Sequence, residues 1–346
     1  MLLCIGLPGC AGIGPSRLES DLLPYARAIS DSQKRQILLN VVRVRYGDTP
    51  TFLGVGQVLS SYTLEQHGEL GLNLFPNARE GNTATGLGSV TFSDRPTITF
   101  APLSGERLSR SAIQPPSPPE LLPLAQVGQP IDVLFRLGVQ SIGPLRNSVV
   151  LGGEQAEAGG DPQFFELLSR MRRLQVAGLL TVRFVRGKDG NHVFLGITDV
   201  SDRELQAVVV RVRRLLGMTP GQTEAEVVYG SMSSGPHKIA ILSRPLIAAL
   251  SQVGEEIEVP PADVEAGRTV SLSRLSRLGL KPIITVHSGS AAPSDAETAV
   301  TYGGSWFWID ENDFNSKVAY NVLVLLVATM TTAPGGQGPI LAVPAG

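Results

Sequence analysis

The order strand, turn, strand, helix recurs four times along this chain, and no other feature restricts its fold as much. "GSVTF", the turn residues "SDRP" and "TITFAPL" precede "SGERLSRSA", which opens a helix at Ser104. "LLTVRFV", "RGKDGN" and "HVFLGIT" precede "SDRELQAVVVRVRRLLG". "AEVVYG", "SMSSGP" and "HKIAIL" precede "SRPLIAALSQVG". "PIITVHS", a longer loop and "AVTYGGSWFWI" precede "DENDFNSKVAYNVLVLLVAT". In each case an apolar period near two is broken by turn residues and then replaced by the helical period. A hairpin can bury only one face, and the helix that follows is the nearest cover for it. The expected class is α+β: an N-terminal helix, then repeated β-hairpin plus helix (ββα) units, with helices packed on an antiparallel sheet. Local signals place the helix starts: Ser201 and Glu204 as a capping box, Ser243 as N-cap with Pro245 in the first turn, and Asp310 with Asp313 before the last helix.

Between these units the pattern is less regular. Residues 20–46 keep apolar residues three and four apart, from Leu22 through Ile29 to Val44, and Gly47, Asp48 and Pro50 end the predicted helix. From Leu59 to Phe75 the chain alternates, with Tyr62, Leu64, Leu70 and Leu72 opposed to Thr63, Glu65, His67 and Glu69. Residues 86–100 alternate likewise. Strands of about 15 residues would reach about 50 Å. Either the pair projects from the body, or Asp94 and Pro96 turn the second arm into a short hairpin of its own, and the turn chemistry favours the latter. "QPPSPPELLP" reads as a linker or rigid corner, residues 129–143 as a helix ending near Gly143, "PQFFELLSRMRRLQ" as another helix, and residues 340–343 as an edge strand. The expected organisation is a helix and hairpin region over 20–113 and an α+β body over 124–346 carrying three ββα units.

Composition limits the partners. With 29 basic against 31 acidic residues, nothing draws the whole molecule to nucleic acid. Glycine (38) and proline (25) favour many turns and short strands. The two cysteines, Cys4 and Cys10, both fall in the first ten residues, so no disulfide braces the body. Leu7-Pro8-Gly9-Cys10 has the form of a lipobox: residues 1–9 would be the end of a signal peptide whose basic region lies upstream, Cys10 the lipidated residue, and residues 10–19 a tether. The competing reading is a short buried strand with two free thiols. No run of about 18 apolar residues suggests a spanning helix.

Sites are sparse. His67, His192, His237 and His287 lack metal-ligand spacing, so no metal and no cofactor is expected. "GVGQV" and "GLGSV" lack the remainder of a dinucleotide fingerprint, and "GSMSSG" has serines at the wrong offsets for a nucleophile elbow. The most distinctive stretch is "WFWIDENDFNSK", residues 306–317. Trp306 and Trp308 alternate with Phe307, so one strand face can present two indoles, and with Tyr302 these form a candidate contact for a partner or a sugar. The bland alternative packs them beneath the following helix, with Asp310, Glu311 and Asp313 serving its N-terminus. "RMRR" and "RVRR" place arginines near helix C-termini, where the dipole favours them.

The blocks "YARAISDSQKRQILLNVVRVRYGDTPTFLGV", "FSDRPTITFAPLSGERL" and "GSWFWIDENDFNSK" resemble an uncharacterised family of Gram-negative bacterial lipoproteins. The resemblance implies an exported protein tethered to the membrane through Cys10, and Ala11 after the cysteine suits the outer membrane, periplasmic face. It brings no catalytic residue. The expectation is a binding or assembly role with an envelope protein or polysaccharide as partner. Two other readings stay open: a subunit of an oligomeric outer-membrane export pore contributing the 59–100 hairpin, and a periplasmic hydrolase.

Overall fold

The computed structural model describes residues 13–59, 62–73, 83–94, 97–102, 112–150, 157–158, 160–188, 190–232, 235, 237–270, 281–331 and 341–344. The lipobox, the helix expected at Ser104 and residues 95–96 of the turn expected before it lie wholly or partly outside them. The chain divides into two compact units, one of residues 1–50 with 105–334 and one of residues 51–104 with 335–346.

The first unit begins with α1 (Ile13–Arg45). Its last turns bury Ile37, Leu38, Val41 and Val42, a stripe at helical spacing. It stops in a Schellman arrangement: the amide of Asp48 donates to the carbonyl of Arg43, that of Gly47 donates to Val44, and Gly47 takes the left-handed φ of +79° this cap requires. Next comes α2 (Pro118–Gln126), where a linker was expected. Here the backbone N–H and the hydroxyl of Ser117 both donate to the Glu120 carboxylate, and Pro118 and Pro119 sit in the first turn, whose amides need no intrahelical acceptor, while Pro123 lies further along the helix. Then α3 (Ile131–Gly138) passes directly into strand β5, described below, so the helix expected to reach Gly143 ends five residues early.

The second unit carries β1 (Leu53–Leu59), β2 (Tyr62–Asn73), β3 (Thr83–Asp94) and β4 (Thr97–Pro102). β3 and β4 do not form a hairpin together. β2 and β3 pair at all twelve positions, from Tyr62 with Asp94 to Asn73 with Thr83, while β4 pairs with β1. The pairs of Gln57, Val58 and Leu59 with Thr99, Ile98 and Thr97 have the same register as the β2-β3 pairs, partner numbers adding to 156, and an irregularity between Val55 and Gln57 shifts the remaining β1-β4 pairs by one. Turn residues permit a reversal without forcing one, and pairing with β2 satisfies the backbone of twelve residues that a five-residue hairpin would leave without a ladder.

The first unit continues with β5 (Val139–Ile142), β6 (Leu145–Arg146), β7 (Val149–Val150), β8 (Glu157–Ala158), α4 (Pro162–Val176), β9 (Leu180–Gly187), β10 (Gly190–Ile197) and α5 (Arg203–Leu215). β11 (Glu224–Tyr229), β12 (Lys238–Ser243), α6 (Leu246–Gly254) and α7 (Pro261–Glu265) follow. β13 (His287–Gly289), β14 (Thr298–Tyr302), β15 (Ser305–Ile309) and α8 (Phe314–Thr331) complete it. β16 (Leu341–Pro344), which belongs to the second unit, adds to β4 as the expected edge strand.

The result is α+β, with an N-terminal helix, a mostly antiparallel six-stranded sheet, a three-stranded sheet, and helices packed on sheets. The larger sheet has the order β6-β5-β12-β11-β10-β9. β9 and β10 form the expected hairpin, and α5 follows it, capped by Asp202 rather than Ser201: the Asp202 carboxylate accepts the amide of Leu205. β11 and β12 depart from expectation, because they run parallel, joined by only eight residues. Nor does Ser243 cap α6; Pro245 takes the cap position, and the Ser243 hydroxyl donates to the carbonyl of Pro116. The smaller sheet has the order β13-β15-β14. Its hairpin is β14-β15, closed by Gly303 and Gly304 at φ +57° and +87°, a two-residue turn of the type that matches strand twist.

Helix α8 is long and apolar enough to cross a membrane by length and composition. Ala319, Tyr320, Leu323 and Leu326 are buried, and the Tyr320 hydroxyl donates to the carbonyl of Lys34 in α1, so it serves here as a core helix. Its N-terminus is capped by Asp313, whose carboxylate accepts the amide and hydroxyl of Ser316.

Helices α4 and α5 are clamped by Glu166, which accepts two hydrogen bonds from Arg211 at 2.9 and 2.7 Å and one from Arg170 at 2.8 Å. The bonds from Arg211, chiefly, hold its carboxyl down at about 2, against 4.5 ordinarily. A carboxyl lowered on folding contributes stability that is complete above the unfolded value and lost as pH falls from about 4.5 through about 2. The melting temperature is therefore expected to drop between pH 5 and pH 2.5, and Glu166→Gln to flatten that drop, as scanning calorimetry would measure.

Candidate functional site

The three-stranded sheet places the aromatic residues by simple alternation. Thr298, Val300 and Tyr302 on β14 lie opposite Ile309, Phe307 and Ser305 on β15, whereas Ala299 and Thr301 lie opposite Trp308 and Trp306. Phe307, Ile309 and Thr298 are buried, so that set is the inner face. Trp306 and Trp308 take the outer face; Trp306 is 37% exposed. They are not packed beneath α8.

The outer face is organised around Trp308. Its indole N–H donates to Asp310 at 2.9 Å, and its ring lies 5.7 Å from that of His287, its cross-strand partner on β13. A Cβ added to Gly289 would fall 3.2 Å from the indole, so the missing side chain is what lets the ring lie flat on β13. His287 stands between two carboxylates, with Nδ1 at 3.1 Å from Glu258 and Nε2 at 3.3 Å from Asp310. No serine hydroxyl meets it among the described residues. Trp308 is fixed by Asp310, His287 and Gly289, and Trp306 beside it is the more exposed indole.

Tyr302 does not join them. It lies on the opposite face, its ring 5.0 Å from that of Tyr46 at the end of α1, and its hydroxyl donates to Asp48. Tyr46 in turn meets Phe307 edge-on at 6.2 Å and donates to Asp263, which also accepts from Arg268. Tyr46, Asp263, Arg268, Tyr302 and Gly303 line a cleft of about 270 Å³. Burial and the bond to Asp263 push the Tyr46 phenol well above its ordinary range, so it stays a donor.

A buried polar network braces this region, and sequence reasoning missed it. Arg244, 3% exposed, follows β12 and donates to Gln252 Oε1 at 3.1 Å, to the carbonyl of Arg136 at 3.2 Å and to the carbonyl of Ser148. Gln252 donates to Glu256 at 2.8 Å. Glu256, also 3% exposed, accepts from the amide of Ile283 and from Arg136, tying α6 to the segment that leads into β13. Burial lowers the Arg244 guanidinium to about 10 and raises the Glu256 carboxyl, the latter opposed by Arg136. The one available signal was a lone arginine inside the apolar run 239–250.

Among the described residues, no group of three or more His, Cys, Asp or Glu residues is placed to hold a metal ion. His192 pairs with Glu226 at 2.7 Å on the six-stranded sheet, away from His287 in sequence and in sheet. Comparison with protein-family models, with curated proteins and with solved structures gives no match. The class that fold and site define is thus an α+β protein bearing an open aromatic sheet face and a long β-ribbon, and its function is argued from those two features.

Proposed function

We propose that this is a lipid-anchored protein of the outer membrane, facing the periplasm, that works by binding and assembly rather than by catalysis. The lipobox at residues 7–10 supports the anchor, with Cys10 as the acylated residue and the following glycine- and proline-containing residues as tether. The β2-β3 ribbon carries the assembly role. Twelve consecutive rungs reach about 40 Å at roughly 3.3 Å per residue, and among the described residues no third strand joins either edge. Long strand edges with open hydrogen-bonding groups are sites for strand addition. Trp306 offers a second contact, to an envelope protein or a polysaccharide.

The same ribbon favours a second reading, an oligomeric export pore. Its rungs sort by alternation into one set containing Leu64–Phe92, Leu70–Gly86 and Leu72–Ala84 and another containing Glu65–Thr91, His67–Ser89 and Asn73–Thr83. That division suits a barrel wall with lipid on one side and water on the other, and transmembrane strands need about 9–11 residues.

Mass analysis of the mature protein after expression with its native upstream region tests the anchor. A diacylated, N-acylated Cys10 is the expected terminus, and Cys10→Ser should release the protein from membranes. An unmodified Met1 would sink the proposal. Electron microscopy of detergent extracts separates the two readings, since rings support the pore and dispersed particles the binding role.

A further inference from the structure

The six-stranded sheet holds a groove that neither the anchor nor the ribbon explains. It has a volume of about 660 Å³ and lies over β5 and β12, between the β5-β6 turn, the C-terminal end of α5 and Ser231 with Met232 after β11. That size falls within the range of about 300–1,000 Å³ usual for small-ligand sites. Its floor is apolar, made by Ile142, Leu216, Ile239 and Ala240, all four buried. Met232 stands at its rim, 84% exposed, a flexible thioether suited to closing on an alkyl chain.

The charges on the groove are of one sign. Arg146, Arg214 and Lys238 line it, and no carboxylate does among the described residues. The three arginines at the end of α5 differ in a telling way. Arg211 is held by Glu166, and Arg213 by Asp199 and the carbonyl of Ile197. Arg214, which points to the groove, makes no ion pair or side-chain hydrogen bond among the described residues, and neither does Arg146 across from it. Lys238 is shared with Glu226 at 3.2 Å. Before it stands His237, the single non-glycine residue with a left-handed φ (+64°) among those described. A helix C-terminus needs one or two cations near it, not a second, unpaired guanidinium facing it from another strand.

We propose that this groove binds an anionic amphiphile, with a phosphate or carboxylate head between Arg146 and Arg214 and an alkyl chain along Ile142, Leu216 and Met232. Two guanidiniums give forked donors for such a head, and the floor gives the chain a surface out of water. The site lies in the unit formed by residues 1–50 and 105–334 and the ribbon in the other, and none of its lining residues belongs to the lipobox, so it stands or falls separately from both readings above.

The test is calorimetric titration with decyl phosphate below its micelle concentration, against decyl maltoside and inorganic phosphate. Saturable one-to-one binding of decyl phosphate is expected, at least tenfold tighter than either control, because each control keeps only half of the chemistry. Arg146→Ala with Arg214→Ala should weaken it about tenfold or more. Both side chains are exposed, so an unchanged circular dichroism spectrum is expected to accompany the loss. Met232→Ser, which removes apolar surface without adding charge, should weaken decyl phosphate and leave inorganic phosphate unaffected. Equal binding of decyl maltoside, equal binding of inorganic phosphate, no binding at all, or full affinity in the double variant would each overturn the proposal.

Discussion

Replacing Arg244 with alanine is expected to cost about 3–5 kcal/mol of folding stability, because removing one partner of a buried ionic network leaves the others uncompensated. The guanidinium serves Gln252 and the carbonyls of Arg136 and Ser148, and Glu256 at the far end of Gln252 would lose a nearby cation. Whole domains are stable by only about 5–15 kcal/mol, so the variant should unfold at much lower urea concentration. Arg244→Lys should recover little, since one ammonium cannot reach acceptors placed for a planar fork. Arg244→Ala with Glu256→Gln should recover more, by removing the stranded charge. The pH dependence supplies a sign. Burial already raises the Glu256 carboxyl above its unfolded value near 4.5, and loss of Arg244 raises it further. A raised carboxyl binds more protons folded than unfolded, so stability falls as pH rises from about 4.5 through the folded value. The Arg244→Ala deficit should thus be smallest near pH 4.5 and larger at pH 7, and Glu256→Gln should abolish that trend.

That network also shows why the sequence could be read so unevenly. Arg244 and Ser148 lie 96 positions apart and Arg136 and Glu256 lie 120 apart, and no local period reports such contacts. Elements set by nearby residues were legible: α1 from its apolar stripe, the β9-β10 hairpin from its turn, α8 from its Asp313 cap, and α5 from its apolar spacing although its cap is Asp202 rather than Ser201. The parallel pairing of β11 with β12 was not, because alternation says which face a residue takes but not which way its neighbour runs. Helix α2 was hidden by its prolines, although Ser117 and Glu120 carried a capping box. Tyr302 was grouped with the tryptophans because Gly303-Gly304 was read as part of one strand. Once they form a two-residue turn, Tyr302 lies opposite Ser305 and its face is that of Phe307. The two indoles needed only the period of two, and they fall on one face as expected.

The ribbon should reveal itself through a pair of substitutions that a simple contact surface would not distinguish. Leu70→Arg and Glu65→Arg both add positive charge to β2, five residues apart, in opposite rung sets of a single register. If the ribbon lines a membrane barrel, the first puts a cation among lipid chains, at a cost of about 2–4 kcal/mol per subunit near the midplane. The second changes only a position in the polar set. Repeated around a ring, the first penalty multiplies by the number of subunits, so Leu70→Arg is expected to abolish detergent-stable rings and Glu65→Arg to leave them intact. Crosslinking in membranes followed by negative-stain microscopy would read both. If the ribbon instead adds a strand to a soluble partner, main-chain hydrogen bonds supply much of the affinity and both variants should retain it within about tenfold. Equal loss of assembly in the two variants would exclude the barrel, since a wall with lipid on one face cannot treat its two sets of residues alike.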